Sequence, residues 1–358
     1  MRHFACAALC ALAWFTAPLW AEEQQKSPGT DAEAPTLRIG VRSHARPFSY
    51  KSTRAPQGLS ISTGAGPIRA EGYDGYLVYV CDEVLKQMLI NQSDAPPLDA
   101  SQIQVEDMDA LVAAERARYP DAQFEFDRLD LLGGKIDILC DPATINAERV
   151  KRFAVSPPLF IAGIGYLTLK DAVPPRSACR ADHALIGFVG ATNAASSGIR
   201  TIVNAGEWRN VKDSVTAALR DTGPGSGVCP PPAGIDGAGG LFYAGHDHDE
   251  VAKRFCRGEV TYYVGDLEII TEHARSVPGC EFTSGARSFT TDRYAIFSKI
   301  DYNADTPKAQ LISRFYEVLN REIATSASLL DRAFIATFGE TPKSQKLELF
   351  FWAMRGPP

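Results

Sequence analysis

Apolar residues fall into short blocks along the chain, and the spacing inside the blocks alternates between two kinds. LRIGV (37–41) is an uninterrupted apolar run, the pattern of a buried strand. GYLVYVCDEVLKQML (75–89) repeats apolar residues three and four apart, which predicts an amphipathic helix. LDLLGGK reads as a helix closed by glycine, and IDILC as a second buried strand ending at Cys140. The pattern then restarts. ALIGFVG (184–190) predicts a strand, followed by Thr192, Asn193 and a helix start of small residues. VAKRFCRGE (251–259) predicts a helix with a glycine stop, and VTYYVGD a strand ending in Asp266. KAQLISRFYEVLNREI (308–323) is a long amphipathic helix. Strand and helix patterns alternate, which predicts an α/β protein with mainly parallel sheets, and the two units echo one another.

Polar punctuation fills the gaps. Residues 50–72, rich in Gly, Ser, Arg and Pro, and residues 221–245, rich in Gly and Pro, read as long inserted loops. Residues 22–35 read as a disordered leader. Before them, Arg2 precedes the apolar FACAALCALAWFTAPLW, and Ala21 precedes EEQQ. This is the form of a secretory signal peptide cleaved after Ala21. Cys6 and Cys10 lie inside that run, not at its end, which argues against a lipid-anchored cysteine. No repeat of solenoid length is visible.

The remaining length exceeds the usual size of one core and predicts two lobes. The net charge of −6 and the absence of a basic block exclude a general nucleic-acid or anionic-membrane binder. Six cysteines follow the leader: Cys81, Cys140, Cys179, Cys229, Cys256 and Cys280. An even number in an exported chain suggests disulfides, and no Cys-x-x-Cys pair suggests zinc. Sequence leaves the pairing open. Sequential pairing is the expectation because it keeps each bridge local; buried thiols are the alternative for Cys81 and Cys140.

CDPATINAER (140–149) offers a carboxylate, a hydroxyl and a guanidinium beside a strand end. Arg149 stands in the opening turn of a helix, where side chains lean back toward the N-terminus. With Thr144 and the free amides of that turn it suits a carboxylate, which arginine grips with two parallel bonds. A solvated surface arginine is the competing reading. Asp266 follows a strand and could take an ammonium group; a helix N-cap before LEIITEH is its alternative, as it is for Thr192. The two His (His246, His248) and two Asp of GHDHDE cannot all converge on one ion from a single loop, so a solvated loop is read there. No Gly-x-Ser-x-Gly and no phosphate-binding glycine loop occurs. No cofactor or metal is called for.

LRIGVRSHARPFSY, LLGGKIDILCDPATINAERVKRFAVSPPLF, ALIGFVGATNAA and GEVTYYVGD, in that order, resemble the extracellular solute-binding proteins of family 3, the amino-acid receptors of ABC importers. The match covers roughly residues 36–350 apart from the inserted loops. It departs in the size of those loops and in Tyr76, which stands where the family often has aspartate. The resemblance implies a type II periplasmic-binding fold of two lobes joined by two hinge crossings, near 161–165 and 285–292. Residues 36–162 and 290–358 would form lobe 1, and 163–289 lobe 2. It implies that Arg149 grips the ligand α-carboxylate, that Thr144 and Thr192 assist, and that Asp266 takes the α-ammonium. Asp141 joins this set at the strand end, and His248 aligns loosely with a cleft-facing histidine. Arg42, just beyond the first strand, resembles the arginine of the glutamate/aspartate branch, with Arg46 as a competitor. A cation there would favour an acidic side chain. The implied protein is a monomeric periplasmic receptor, not an enzyme, that delivers an acidic amino acid to importer membrane subunits. The alternatives are a dehydratase-like enzyme on the same fold, with Asp141 and His248 as acid–base candidates, and a receptor feeding a sensor kinase.

Overall fold

A computed structural model describes residues 35–52, 64–91, 98–118, 128–172, 184–189, 192–219, 241–285, 288–299, 306–325, 328–339 and 343–354. The signal-peptide and leader expectations and the Cys179–Cys229 pairing lie outside these residues.

The first strand, β1 (Leu37–Val41), has every residue but one buried. A small antiparallel sheet follows it: β2 (His44–Ala45), β3 (Ser49–Lys51) and, after α1 (Pro67–Ala70), β4 (Tyr73–Asp74). The 50–72 stretch is therefore not all loop. It ends in α1, a four-residue helix whose amides at Gly66, Ile68 and Arg69 donate to the buried carboxylate of Asp82. Asp82 lies on α2 (Tyr76–Ile90), where the three-and-four spacing buries Leu77, Val80, Cys81, Val84 and Met88. The carbonyls of Pro47 and Phe48 accept from the amides of Tyr76 and Leu77. Gly75 lets them come so close: a Cβ there would meet the Phe48 carbonyl at 2.6 Å, and its φ is +122°.

β5 (Ile103–Asp107) and α3 (Met108–Arg118) come next, then β6 (Ile138–Thr144), α4 (Ala147–Arg152), β7 (Ala154–Val155) and β8 (Phe160–Ala162). β6 runs four residues beyond the expected end at Cys140. Its tail has a partner, Thr144 lying opposite Tyr294, so Asp141 is a mid-strand residue. β1 pairs in parallel with β5 and β6. β14 (Asp292–Ser298) runs antiparallel beside β6 and carries β7 and β8 on its other side. This sheet is the heart of the first lobe.

The second lobe is built on β9 (Ile164–Leu169), β10 (Ala184–Val189), β11 (Phe242–Gly245), β12 (Val260–Asp266) and β13 (Phe282–Ser284), in the order β11-β10-β12-β9-β13. Its helices are α5 (Thr192–Asn204), α6 (Lys212–Ala218), α7 (His248–Cys256) and α8 (Leu267–Ser276). The expected 221–245 loop ends in β11, which pairs in parallel with β10. His248 opens α7 behind an Asp247 cap instead of lying in a solvated loop. Three helices, α9 (Pro307–Thr325), α10 (Ser328–Phe338) and α11 (Gln345–Met354), return to the first lobe, where Leu311, Phe315, Leu319, Phe334 and Phe351 join its core. Each of the two large sheets keeps three parallel strands and adds antiparallel ones at one side, so the fold is mixed α/β with sheets flanked by helices.

Two disulfides join neighbouring elements. Cys81–Cys140 ties α2 to β6, and Cys256–Cys280 ties the end of α7 to the approach to β13. The chain passes between the sheets at Gly163 and returns between β13 and β14. The two passages touch: Ile164 N donates to Thr290 Oγ1 at 2.8 Å, and a Cβ on Gly163 would meet Thr290 O at 2.5 Å. No helix among the described residues is long and apolar enough to cross a membrane.

Candidate functional site

The carboxyl ends of β1, β5 and β6 lie side by side because the strands are parallel, and a network of charge collects there. Arg42 follows β1. Its Nε donates to Asp109 Oδ1 at 2.8 Å, and Asp109 Oδ2 accepts from the amides of Ser43 and His44, both at 3.0 Å. Burial works against the Arg42 charge, but Asp141 and Asp109, with Asp107, outweigh it and hold the guanidinium above its ordinary range. Burial likewise acts against the Asp109 carboxylate, and Arg42 and the His44 amide overcome it, so its carboxyl is held low. Asp141 is fully buried and ion-paired with Arg128. Burial exceeds the help of Arg128 and Arg42 and raises its carboxyl. Arg128 also donates from a terminal nitrogen to Pro142 O at 2.6 Å.

On the other lobe, Asp266 ends β12. It occupies the N-cap position of α8 yet makes no side-chain bond to the helix amides. Its carboxylate instead accepts from the hydroxyl of Tyr294, on β14 of the first lobe. Tyr294 is held there by aromatic packing: its ring lies edge-on to Phe48 at 5.0 Å, and Phe48 meets Phe160 at 4.8 Å. Burial raises Asp266 to about 6, against the Tyr294 bond; Asp292 adds to the rise and Arg128 opposes it. Glu268, two residues on, is raised to about 7, first by burial and then by Asp266 and Asp292, with Lys346 opposing. One of its carboxylate oxygens is buried without a hydrogen-bond partner.

Arg149 and Thr144 are adjacent. The guanidinium donates to the Thr144 carbonyl at 2.9 Å, while Asn146 caps α4 by accepting from the Arg149 amide. Arg149 is thus half-buried and folded back on the strand end, the direction its place in the first turn predicts. Thr192 starts α5 at the end of the β10 connection, and its side chain lies outside the described residues. His248 meets Tyr263: Nδ1 and the Tyr263 hydroxyl are 2.8 Å apart, and its ring stacks on His273 at 5.2 Å. Arg46 lies over the ring of Tyr50, 3.9 Å from its centroid, and is directed into the small sheet.

The structure therefore brings Arg42 and Asp141 into one network, keeps Thr144 and Arg149 together, and sets Asp266 under the influence of Arg128 across the lobe boundary. Four members carry no sequence signal of their own: Arg128, Asp109, Tyr294 and Glu268. Their partners lie far along the chain, as with Arg42 and Asp109, 67 positions apart. Among the described residues no group of three or more His, Cys, Asp or Glu is placed to hold a metal ion.

No protein-family model and no curated protein matches the chain. Among solved structures, an ancestral arginine-binding protein bound to glutamine aligns at 16% identity and a TM-score of 0.49, over 85% of this chain and 98% of that one. The arginine-, lysine-, histidine-binding protein ArtJ from Geobacillus stearothermophilus aligns at 16% identity and 0.49, over 87% and 99%. An ancestral amino-acid-binding protein, described as a precursor of cyclohexadienyl dehydratase, aligns at 15% identity and 0.48, over 85% and 95%. Likeness at this level does not transfer a ligand or an activity.

Proposed function

We propose that the chain is an exported solute-binding protein that captures an amino acid between its two lobes. The observation that carries this reading is Asp266. A half-buried carboxylate at a strand end, raised to about 6, with a tyrosine hydroxyl as its hydrogen-bond partner, gains much from an ammonium group. Across the lobe boundary Arg42 and Arg128 supply guanidinium groups, and Arg149 stands at the end of β6. A zwitterion would have its ammonium at Asp266 and its carboxylate on the first lobe, bridging the two and favouring their closure about the crossings near 161–165 and 285–292. Residues 36–162 and 290–358 are assigned to one lobe and 163–289 to the other.

The finer proposal is an acidic ligand, glutamate or aspartate, released to an ABC importer. Arg42 gives Nε to Asp109, and its two terminal nitrogens, with the one of Arg128 that does not donate to Pro142, favour a side-chain carboxylate. Native mass spectrometry of the freshly purified protein, followed by calorimetric titration of glutamate, aspartate, glutamine and lysine, tests both levels. Binding of none of these would overturn the amino-acid reading. Tighter binding of lysine or glutamine than of both acids would overturn the acidic preference alone.

A second reading has its own support. Glu268, raised to about 7, is a carboxylic acid able to give up a proton at neutral pH, which a dehydratase-like enzyme needs. Incubation with prephenate or arogenate tests it; turnover abolished by Glu268→Gln would establish an enzyme.

A further inference from the structure

His248 and His273 form a pair that the amino-acid site does not use. His273, on α8, is 1% exposed, and its Nδ1 lies 2.7 Å from Asp249 Oδ1. Its Nε2 is buried without a hydrogen-bond partner. The His248 ring stacks on it with an interplanar angle of 27°, and His248 Nδ1 is taken by Tyr263. α7, which carries His248 and Asp249, packs against β2 of the other lobe. The pair therefore stands on the lobe boundary, opposite Arg42.

We propose that His248 is a proton-operated release between the lobes: with the lobes in contact only the neutral imidazole is tolerated, so acidification drives them apart.

The charges around it all point this way except one. Burial, His273 and Arg42 each disfavour the imidazolium of His248 and push it well below the usual imidazole range; Asp249 alone favours it. Asp249 is already committed. Its carboxyl is held low chiefly by the bond from His273, and Lys253 and His44 of β2 add to that. Tyr263 of β12 can share a proton with His248 but brings no charge, since burial and the nearby Asp249 and Asp247 keep its hydroxyl protonated. β10 carries no titratable side chain, and Tyr243 of β11 is bound to Glu250. Separation of the lobes removes Arg42 from His248 and admits water, and both changes restore an ordinary imidazole.

The sign follows. The His248 pKa is lower with the lobes in contact than with the lobes apart, so protons bind preferentially to the separated state. Contact is favoured above the separated-state value of about 6.5 and loses on the order of tenfold per pH unit below it, for one linked proton.

The test uses the ligand-free protein, so its outcome does not depend on the amino-acid reading. Small-angle scattering gives the radius of gyration from pH 7.5 to 5.0 for the wild type, His248→Gln and Asp266→Asn. Gln keeps a partner for Tyr263 and does not titrate. The expected result is expansion on acidification in the wild type and in Asp266→Asn, and none in His248→Gln. Equal expansion in all three, or none in the wild type, overturns the proposal, as does loss of the expansion in Asp266→Asn alone. Circular dichroism of His248→Gln at pH 7.5 establishes that it is folded; if it is not, His248→Asn repeats the comparison under the same criteria.

Discussion

The hydroxyl of Tyr294, on the first lobe, donates to Asp266 Oδ2, on the second, and this bond is made beside the two passages of chain that join the lobes. A tyrosine that is 1% exposed and packed against Phe48 cannot turn away to solvent. Asp266 is thereby fixed in direction and partly sustained as an anion.

Tyr294→Phe removes the donor and leaves the ring. Hydrogen bonds to charged groups are worth about 1.5–3 kcal/mol. Because the bond lowers the Asp266 carboxyl, its loss raises that value further above about 6. Carbon-detected NMR titration of the Asp266 side chain checks the direction. A value unchanged or lowered in the variant would refute the assignment.

Asp266→Asn is expected to stabilise the ligand-free protein and to remove amino-acid binding. The folded value of about 6 lies above the unfolded value of about 3.9. The folded state therefore binds more protons between these limits, and stability falls as pH rises from about 4 to about 6, then stays reduced. Each unit is about 1.4 kcal/mol, so the ionised carboxylate costs on the order of 3 kcal/mol at pH 8. Asn retains the N-cap preference. Urea unfolding at pH 3 and pH 8 should show a gain for the variant at the higher pH, little at pH 3, and about half of the full gain at pH 5. Such a trade of stability against binding is the mark of a functional carboxylate.

Where an element depends on its own spacing, the sequence predicts it. α2, α9 and β12 follow from apolar period alone, and the sequential pairing of Cys81 with Cys140 and of Cys256 with Cys280 is found. Elements that depend on distant partners escape. α1 has four residues and exists because Asp82, on another helix, takes its amides. β11 follows a glycine-rich stretch and is a strand because β10 lies beside it. β6 runs past its expected end for the same reason, since Tyr294 and Ala295 supply its partners. Arg42, Thr144, Arg149 and Asp266 stand out in the sequence as candidates by residue type and place, and the structure sets each at or beside a strand end. The counterions Asp109 and Arg128 do not, because an ion pair between distant residues leaves no periodic trace.

Asp109→Asn probes the counterion of Arg42. The Asp109 carboxyl is depressed, so its contribution is fully present above the unfolded value of about 3.9 and is lost as pH falls through the lower folded value. Removal should cost about 1–3 kcal/mol at pH 7, because it leaves Arg42 beside fewer carboxylates and the amides of Ser43 and His44 poorly matched. The difference between variant and wild type should shrink toward pH 3. A constant difference across that range would exclude the ion pair as its cause.

Cys81 and Cys140 are both fully buried, and their bridge closes a segment with a sequence separation of 59. The loop entropy removed from the unfolded chain corresponds to about 4 kcal/mol. The double replacement Cys81→Ala with Cys140→Ala should lower the urea midpoint accordingly. In the native protein, reductant should reach this bridge only as the first lobe unfolds, whereas Cys256–Cys280, at partly buried positions, should reduce first. Mass mapping of thiols trapped by alkylation at increasing reductant checks the order; simultaneous reduction would count against it.

Arg149→Ala is expected to abolish amino-acid binding and leave the fold intact. The helix that holds Arg149 has no fully buried residue, and its N-cap, Asn146, accepts from the Arg149 amide, which alanine retains. The guanidinium donates to the Thr144 carbonyl from a half-buried position at the end of β6. With no buried residue in that helix and its cap retained, stability should change by less than about 1 kcal/mol. Binding should suffer far more if the guanidinium grips the ligand carboxylate, because an unpaired carboxylate in a closed site costs about 2–5 kcal/mol. Arg149→Lys separates charge from geometry: the ammonium keeps the charge but cannot make two parallel bonds, so it should recover only part of the affinity. Calorimetry on the three proteins decides the role. Unchanged affinity in Arg149→Ala, with Arg42→Ala inactive, would move the carboxylate to the network at the ends of β1 and β6.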